Sequence, residues 1–169
     1  MIKQIITEIK DSLLNNNAKL AVAESLTCGH IQKIIGQTSG VSSFFVGGIT
    51  TYSLVTKCKL LQIDEEYAKT VNCVSELIAK QMAIGVCELF EANVSLATTG
   101  YAEPTIDKKI PFAYVAVKVN NSIFSKKVIA PNMNRIEVQQ YVSIVSLSYL
   151  LECLYKKLIV NGEWLTVNY

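Results

Sequence analysis

A short apolar run, Leu20-Ala21-Val22-Ala23, breaks into Glu24-Ser25-Leu26-Thr27-Cys28-Gly29 and passes at once into a helix-like stretch from His30 to Ile35. That junction constrains the fold more than any other part of the chain. A buried strand that turns directly into a helix is the unit of a parallel sheet, because parallel strands need a crossover to bring the chain back to the same edge. The junction also places Glu24, Ser25 and Thr27 at the carboxyl edge of that sheet. The first amides of the following helix carry partial positive charge there and lack intrahelical partners. Ligands of open α/β sheets bind along this edge, so Ser25 is the first candidate for chemistry.

The rest of the chain continues the alternation. Ile2 to Leu14 has apolar residues at 2, 5, 6, 9, 13 and 14, an amphipathic helix ended by Asn15-Asn16-Asn17. After Leu20 to Ala23, a helix is expected from Thr27 to about Gly36. Val46 to Tyr52 is a second strand, and Gly47 and Gly48 inside it imply close approach of another backbone or a ligand. Ser53 caps a short helix through Leu61, and Asp64-Glu65-Glu66 opens another, since acids in a first turn suit the helix dipole. Ser75 caps the clearest helix, with Leu77, Ile78, Met82, Val86, Leu89 and Phe90 on one face. Val94 to Thr98 is a third strand running into Thr99-Gly100. Phe112 to Val119 and Ile123 to Ala130 form a hairpin about Asn120-Asn121. Arg135 to Leu158 is a long helix, apolar almost all round and expected to be well buried. Residues 159–169 are expected to form a tail, with Trp164 and Leu165 available to dock on a partner. The prediction is an α/β protein: a single three-layer α/β/α domain over residues 1–158, with a mixed, mostly parallel sheet containing one antiparallel strand.

Composition narrows the function classes. Half of the 169 residues are hydrophobic and 18% are charged, which suits a compact core and argues against disorder. The formal net charge of +2, with Lys108-Lys109, Lys126-Lys127 and Lys156-Lys157 as isolated pairs, gives no nucleic-acid footprint. Five cysteines, Cys28, Cys58, Cys73, Cys87 and Cys153, form no C-x-x-C pair and no metal-like spacing with the single His30. They are expected to be reduced thiols in the cytoplasm. No metal, cofactor or membrane is expected, because there is no ligand set, no signal-peptide core and no apolar run of spanning length.

Several catalytic patterns are absent: no G-x-S-x-G elbow, no P-loop and no G-x-G-x-x-G. His30 is the only imidazole available to a serine triad, and a helical histidine is more often structural. What remains is Ser25, Tyr52 and Lys57, with Thr99-Gly100 nearby. Parallel strands end on one edge, so the strand ends carrying Ser25, Tyr52 and Thr99 converge. A serine hydroxyl needs a base, and lysine serves only where burial or a nearby cation lowers its pKa. Tyr52 is placed to relay the proton or to orient the pair.

Four blocks then carry a resemblance: Ala23 to Gly29 (Ala-Glu-Ser-x-Thr-x-Gly), Gly47-Gly48 to Lys57, Val74-Ser75-Glu76 with Met82-Ala83-Ile84-Gly85, and Thr99 to Pro104. In order and spacing the chain resembles the CinA C-terminal family, which includes nicotinamide-nucleotide amidohydrolases of pyridine-nucleotide salvage. The resemblance implies a three-layer α/β/α domain that self-associates. It implies hydrolysis of the carboxamide of nicotinamide mononucleotide to nicotinate mononucleotide and ammonia, without a cofactor. Carried onto matching positions, Ser25 is the nucleophile, Lys57 its base and Tyr52 an assisting group. Thr27 and Gly29 donate to phosphate or oxyanion. Gly48, Thr99, Gly100 and Arg135 complete the substrate site.

The departures gather around that site. Cys28 stands where the family has glycine, adding a side chain where bare backbone would approach phosphate. Thr-Gly-Ile-Ala-Gly-Pro becomes Thr99-Gly100-Tyr101-Ala102-Glu103-Pro104, and the glycine-rich segment after it becomes Thr105-Ile106-Asp107-Lys108-Lys109. Gly-Asp-Arg becomes Met133-Asn134-Arg135. Glu103 opposes an anionic phosphate unless Lys108, Lys109 or Arg135 offsets it. Two readings therefore stand: a Ser/Lys amidohydrolase with altered substrate preference, and a non-catalytic nucleotide-binding or structural relative that keeps the scaffold.

Overall fold

The computed structural model describes residues 1–157. Leu158 and the expected tail, with Trp164 and Leu165, lie outside the described residues. The elements in chain order are α1 (Ile2–Asn15), β1 (Leu20–Glu24), α2 (His30–Gly36), a single 3-10 turn (Val41–Ser43), β2 (Phe45–Thr50), α3 (Leu54–Leu61), α4 (Glu65–Thr70), α5 (Glu76–Leu89), β3 (Val94–Tyr101), β4 (Phe112–Val119), β5 (Ser122–Ile129) and α6 (Arg135–Lys157). The sheet has five strands in the order β2-β1-β3-β4-β5. β2, β1 and β3 are parallel, while β4 runs antiparallel to both neighbours, the one reversed strand of a mixed sheet.

Alternation along the strands separates two cores. Leu20, Val22, Val94, Leu96, Val115 and Val117 face α1, α2 and α6, where Ile9, Leu13, Ile31, Ile35, Leu147 and Leu150 meet them. Ala21, Ala23, Ala97 and Ala116 face α5, and these small side chains bring it close to the sheet. Ser95 Oγ donates to the Ala83 carbonyl at 2.6 Å across that gap. Gly85 is required on the other side of α5: an added Cβ there would sit 2.3 Å from the Leu61 carbonyl oxygen at the end of α3.

Three local expectations change. On α5, Leu77 and Leu89 are 47% and 45% exposed, and the buried face is Ile78, Ala79, Met82, Ala83, Gly85 and Val86. The sheet beneath is lined with alanine, so small residues win the contact. α6 is buried along one stripe only, through Val138, Val142, Leu147, Leu150 and Leu154, while Ile136 is 63% exposed. Gly47 and Gly48 admit side chains, not backbone or a ligand: a Cβ would lie 2.7 Å from the Phe90 ring on one face of β2 and 2.6 Å from Gln32 on the other.

The site is placed by a mismatch in strand length. β1 pairs with β3 only as far as Ala23 opposite Ala97, while β3 continues to Tyr101 by pairing with β4. The edge of β3 from Thr98 onward is therefore uncovered on the β1 side. Chain leaving β1 goes to β2 and chain leaving β2 returns across β1 to β3, so this crevice is the switch point of the sheet. Among the described residues no helix is long and apolar enough to cross a membrane.

Candidate active site at the carboxyl edge of the sheet

The turn after β1 is organised by Glu24, which is fully buried. Its Oε2 accepts the N–H groups of Gly29 and Ile31 at 2.9 and 3.2 Å. Its Oε1 accepts the main-chain N–H of Gln32 at 2.9 Å and the Gln32 side-chain amide at 3.1 Å. A carboxylate at the first turn satisfies donors that a helix leaves open and complements its dipole. The expected helix start at Thr27 is accordingly a turn, and α2 begins at His30. Cys28 and Gly29 both take left-handed backbone, φ +50° and +92°. Cys28 is exposed and points strain, not bulk, at this turn.

The second half comes from α3. Ser53 caps it, accepting from the Thr56 amide at 3.2 Å while Thr56 Oγ1 accepts from the Ser53 amide at 3.3 Å. This capping box fixes the first turn so that Lys57 is directed inward. Lys57 is 1% exposed and Ser25 8%. The Lys57 Nζ stands 3.0 Å from Ser25 Oγ and donates to the Thr51 carbonyl at 2.7 Å. Burial pushes the Lys57 amine below the ordinary lysine value. An amine so placed can take the proton of a serine hydroxyl.

Ser25 and Lys57 open onto a cavity of about 260 Å³. Its walls include Leu26, Thr99, Gly100 and Tyr101, and the loop Asn72-Cys73-Val74 between α4 and α5. Asn72 and Cys73 take successive left-handed conformations, φ +49° and +59°, and Thr99 Oγ1 pins the loop by donating to the Cys73 carbonyl at 2.7 Å. That loop carries no catalytic residue pattern in the sequence; an asparagine, tolerant of left-handed backbone, is its one local hint. The sequence places Glu24 at the carboxyl edge of the sheet but does not mark it as the group that occupies the helix amides.

The remaining expected residues divide. Thr99 and Gly100 line the cavity. Tyr52 also lines it but is 57% exposed, and its hydroxyl accepts from Arg135 Nη2 at 2.7 Å, not from Ser25 or Lys57. Arg135 Nη1 donates to Glu103 Oε2 at 2.9 Å, so the arginine does offset Glu103. Tyr52, Glu103 and Arg135 border a shallower cavity of about 170 Å³ at the mouth. Arg135 starts α6, whose cap survives the change from aspartate: Asn134 Oδ1 accepts from Ile136 and Glu137 at 3.0 and 3.1 Å. Three expected substrate contacts are used internally. The Thr27 hydroxyl pairs with Thr98 at 2.8 Å, the Gly29 N–H goes to Glu24, and Gly48 packs on Gln32. His30 is structural, its Nδ1 on the Thr27 carbonyl at 2.7 Å. Among the described residues no three His, Cys, Asp or Glu side chains are grouped to hold a metal ion.

Comparison with known proteins agrees with this architecture. The sequence profile of the CinA C-terminal domain matches residues 2–154. The CinA-like protein of Amoebophilus asiaticus is 31% identical over 160 residues, covering 93% of this chain, and that of Prochlorococcus marinus is 35% identical over 143 residues, covering 82%. The chain spans about a third of the length of these curated relatives, 36% and 33% respectively. Among solved structures, the competence or damage-inducible protein of Enterobacter asburiae superposes with a TM-score of 0.85 at 21% identity, covering 91% of this chain and 98% of that one. A competence-damaged protein (CinA) superfamily protein of Escherichia coli gives a TM-score of 0.85 at 24% identity, covering 90% of each chain. At that identity the structural likeness speaks for the fold, and the profile and the relatives speak for descent. This chain belongs to the CinA C-terminal domain family.

Proposed function

We propose that the chain is a metal-independent amidohydrolase that converts nicotinamide mononucleotide to nicotinate mononucleotide and ammonia. One observation carries the reading: a buried lysine amine lies 3.0 Å from a serine hydroxyl at the switch point of the sheet. The neutral Lys57 amine takes the Ser25 proton as Oγ attacks the carboxamide carbon. The resulting lysine ammonium returns the proton to the departing nitrogen, releasing ammonia and leaving an ester on Ser25. Water, deprotonated by Lys57, then cleaves the ester to the carboxylate and restores the serine.

The tetrahedral oxyanion needs donors. The N–H groups of Leu26 and Thr27, residues 2% and 0% exposed, have no acceptor among the described residues. They follow the nucleophile directly, which suits them to that charge. The Thr51 carbonyl orients the amine, and Tyr52 acts at the mouth through Arg135.

Ammonia release from nicotinamide mononucleotide by wild type and Ser25→Ala tests the proposal. Wild type releases ammonia, and the variant loses at least about 10³-fold while keeping its fold. Equal turnover by both refutes the mechanism. No release by wild type from this or other carboxamides leaves the non-catalytic relative as the better reading.

A further inference from the structure

A second cavity of about 460 Å³ adjoins the first and shares Asn72, Val74 and Tyr101 with it. Tyr101 stands between the two, its hydroxyl accepting from Asn72 Nδ2 at 3.3 Å and its ring edge-on to Phe112 at 5.6 Å. The far wall carries Lys69, Lys108 and Lys127 together with Phe112 and Tyr114. Lys69 is neutralised by Glu65 and Glu66 at 2.9 and 3.1 Å. Lys108 and Lys127 have no carboxylate partner among the described residues. The Lys127 ammonium lies 4.3 Å from the Phe112 ring centroid and 5.7 Å from that of Tyr114, held on aromatic faces. Lys108 sits on a closed turn: its N–H donates to Thr105 Oγ1 at 3.0 Å, and the Thr105 N–H donates to its carbonyl at 2.7 Å.

The donors nearer the mouth, apart from the Leu26 and Thr27 amides assigned to the oxyanion, are already engaged. Glu24 takes the Gly29 N–H, Thr98 takes the Thr27 hydroxyl, and Arg135, the sole arginine of the chain, is held by Glu103 and Tyr52. Apart from Lys57, the ammonium groups lining these adjoining cavities that lack a carboxylate partner among the described residues are therefore Lys108 and Lys127, beyond Tyr101. We propose that the anionic end of the substrate, a phosphate monoester, binds between Lys108 and Lys127, with the unreactive body of the substrate against Phe112 and Tyr114. The carboxamide reaches Ser25 past Tyr101. Two separate ammonium groups suit a tetrahedral dianion, each meeting a different oxygen as a point charge. The inference rests on the amidohydrolase reading for the reacting end of the substrate alone.

The test is a titration with inorganic phosphate, followed by ¹H–¹⁵N NMR, of wild type, the double variant Lys108→Gln/Lys127→Gln, and Arg135→Gln. Lys108 and Lys127 are exposed, so the double variant keeps its spectral dispersion. Wild type shows saturable shifts in the amides of residues 105–110. The double variant weakens the midpoint by about tenfold, and Arg135→Gln by less than about twofold. A flat wild-type titration overturns the proposal, as does loss of binding in Arg135→Gln with retention in the double variant. With nicotinamide mononucleotide, the double variant raises KM and leaves kcat near wild type. Lysine-dependent phosphate binding without any ammonia release sinks the amidohydrolase reading and sustains this one. Ammonia release with KM unmoved does the reverse.

Discussion

Replacing Glu24 by glutamine isolates what the buried carboxylate contributes to the turn that carries Ser25. The carboxylate meets the N–H groups of Gly29, Ile31 and Gln32 and the Gln32 side-chain amide within 3.2 Å. Glutamine has the same shape but one accepting oxygen. That oxygen can keep Gly29 and Ile31, and the Gln32 side chain can rotate to accept from the new amide. The Gln32 main-chain N–H then faces a donor and is orphaned, costing about 1–3 kcal/mol. The two surviving bonds weaken from charged to neutral, about 0.5–1 kcal/mol each. Loss of charge at the start of α2 adds about 0.5 kcal/mol. The total is about 2.5–5.5 kcal/mol, and α2, with seven residues, has little stability of its own to resist it. Urea unfolding followed by far-UV circular dichroism reads this as a lower midpoint at unchanged slope, and heating as a Tm lower by roughly 5–20 °C. A Glu24→Gln variant within about 0.5 kcal/mol of wild type refutes the reasoning, because shape alone would then hold the turn.

Three further outcomes follow from the same structure. The rate of ammonia release rises with pH as Lys57 loses its proton, and because burial lowers that pKa the limb has its midpoint below the ordinary lysine value of 10.5; a midpoint at or above it in a kcat/KM profile contradicts the placement of Lys57 as base. Gly85→Ala drives a methyl to 2.3 Å from the Leu61 carbonyl and forces α3 and α5 apart, destabilising by about 1–3 kcal/mol in urea, with Lys57 displaced as a consequence. Glu103→Gln removes the charge of one partner of Arg135 in a pair whose side chains are 43% and 58% exposed; thermal unfolding moves by less than about 1 kcal/mol, and a larger loss shows that the Glu103–Arg135–Tyr52 contacts at the mouth are structural.

Local chemistry made much of the chain legible. Ser53, Asp64 and Ser75 cap the helices expected to follow them, because an N-cap is decided by a hydroxyl or carboxylate and amides within three residues. The mixed sheet follows from where helical and strand periods alternate and from one asparagine turn. That Ser25 and Lys57 belong to one site follows from parallel strands ending on one edge. The partners chosen there do not follow from it. Tyr52 meets Arg135 across 83 residues of chain. An asparagine–cysteine loop forms a wall because Thr99 pins it. α5 buries its alanines and exposes two leucines, because the sheet facing it is lined with small side chains.

By itself, then, the sequence determined the order of elements, the caps and the edge of the sheet where chemistry can gather, since these depend on near neighbours and on the period of the pattern. The tertiary structure alone decided which donors remain open. Glu24 takes the helix amides, Glu103 takes the arginine, and among the described residues no carboxylate meets Lys108 or Lys127. The physical reason is that a side chain's hydrogen-bonding capacity is written in its residue type, while its partner is set by what the fold brings within about 3 Å of it and how much water is excluded there.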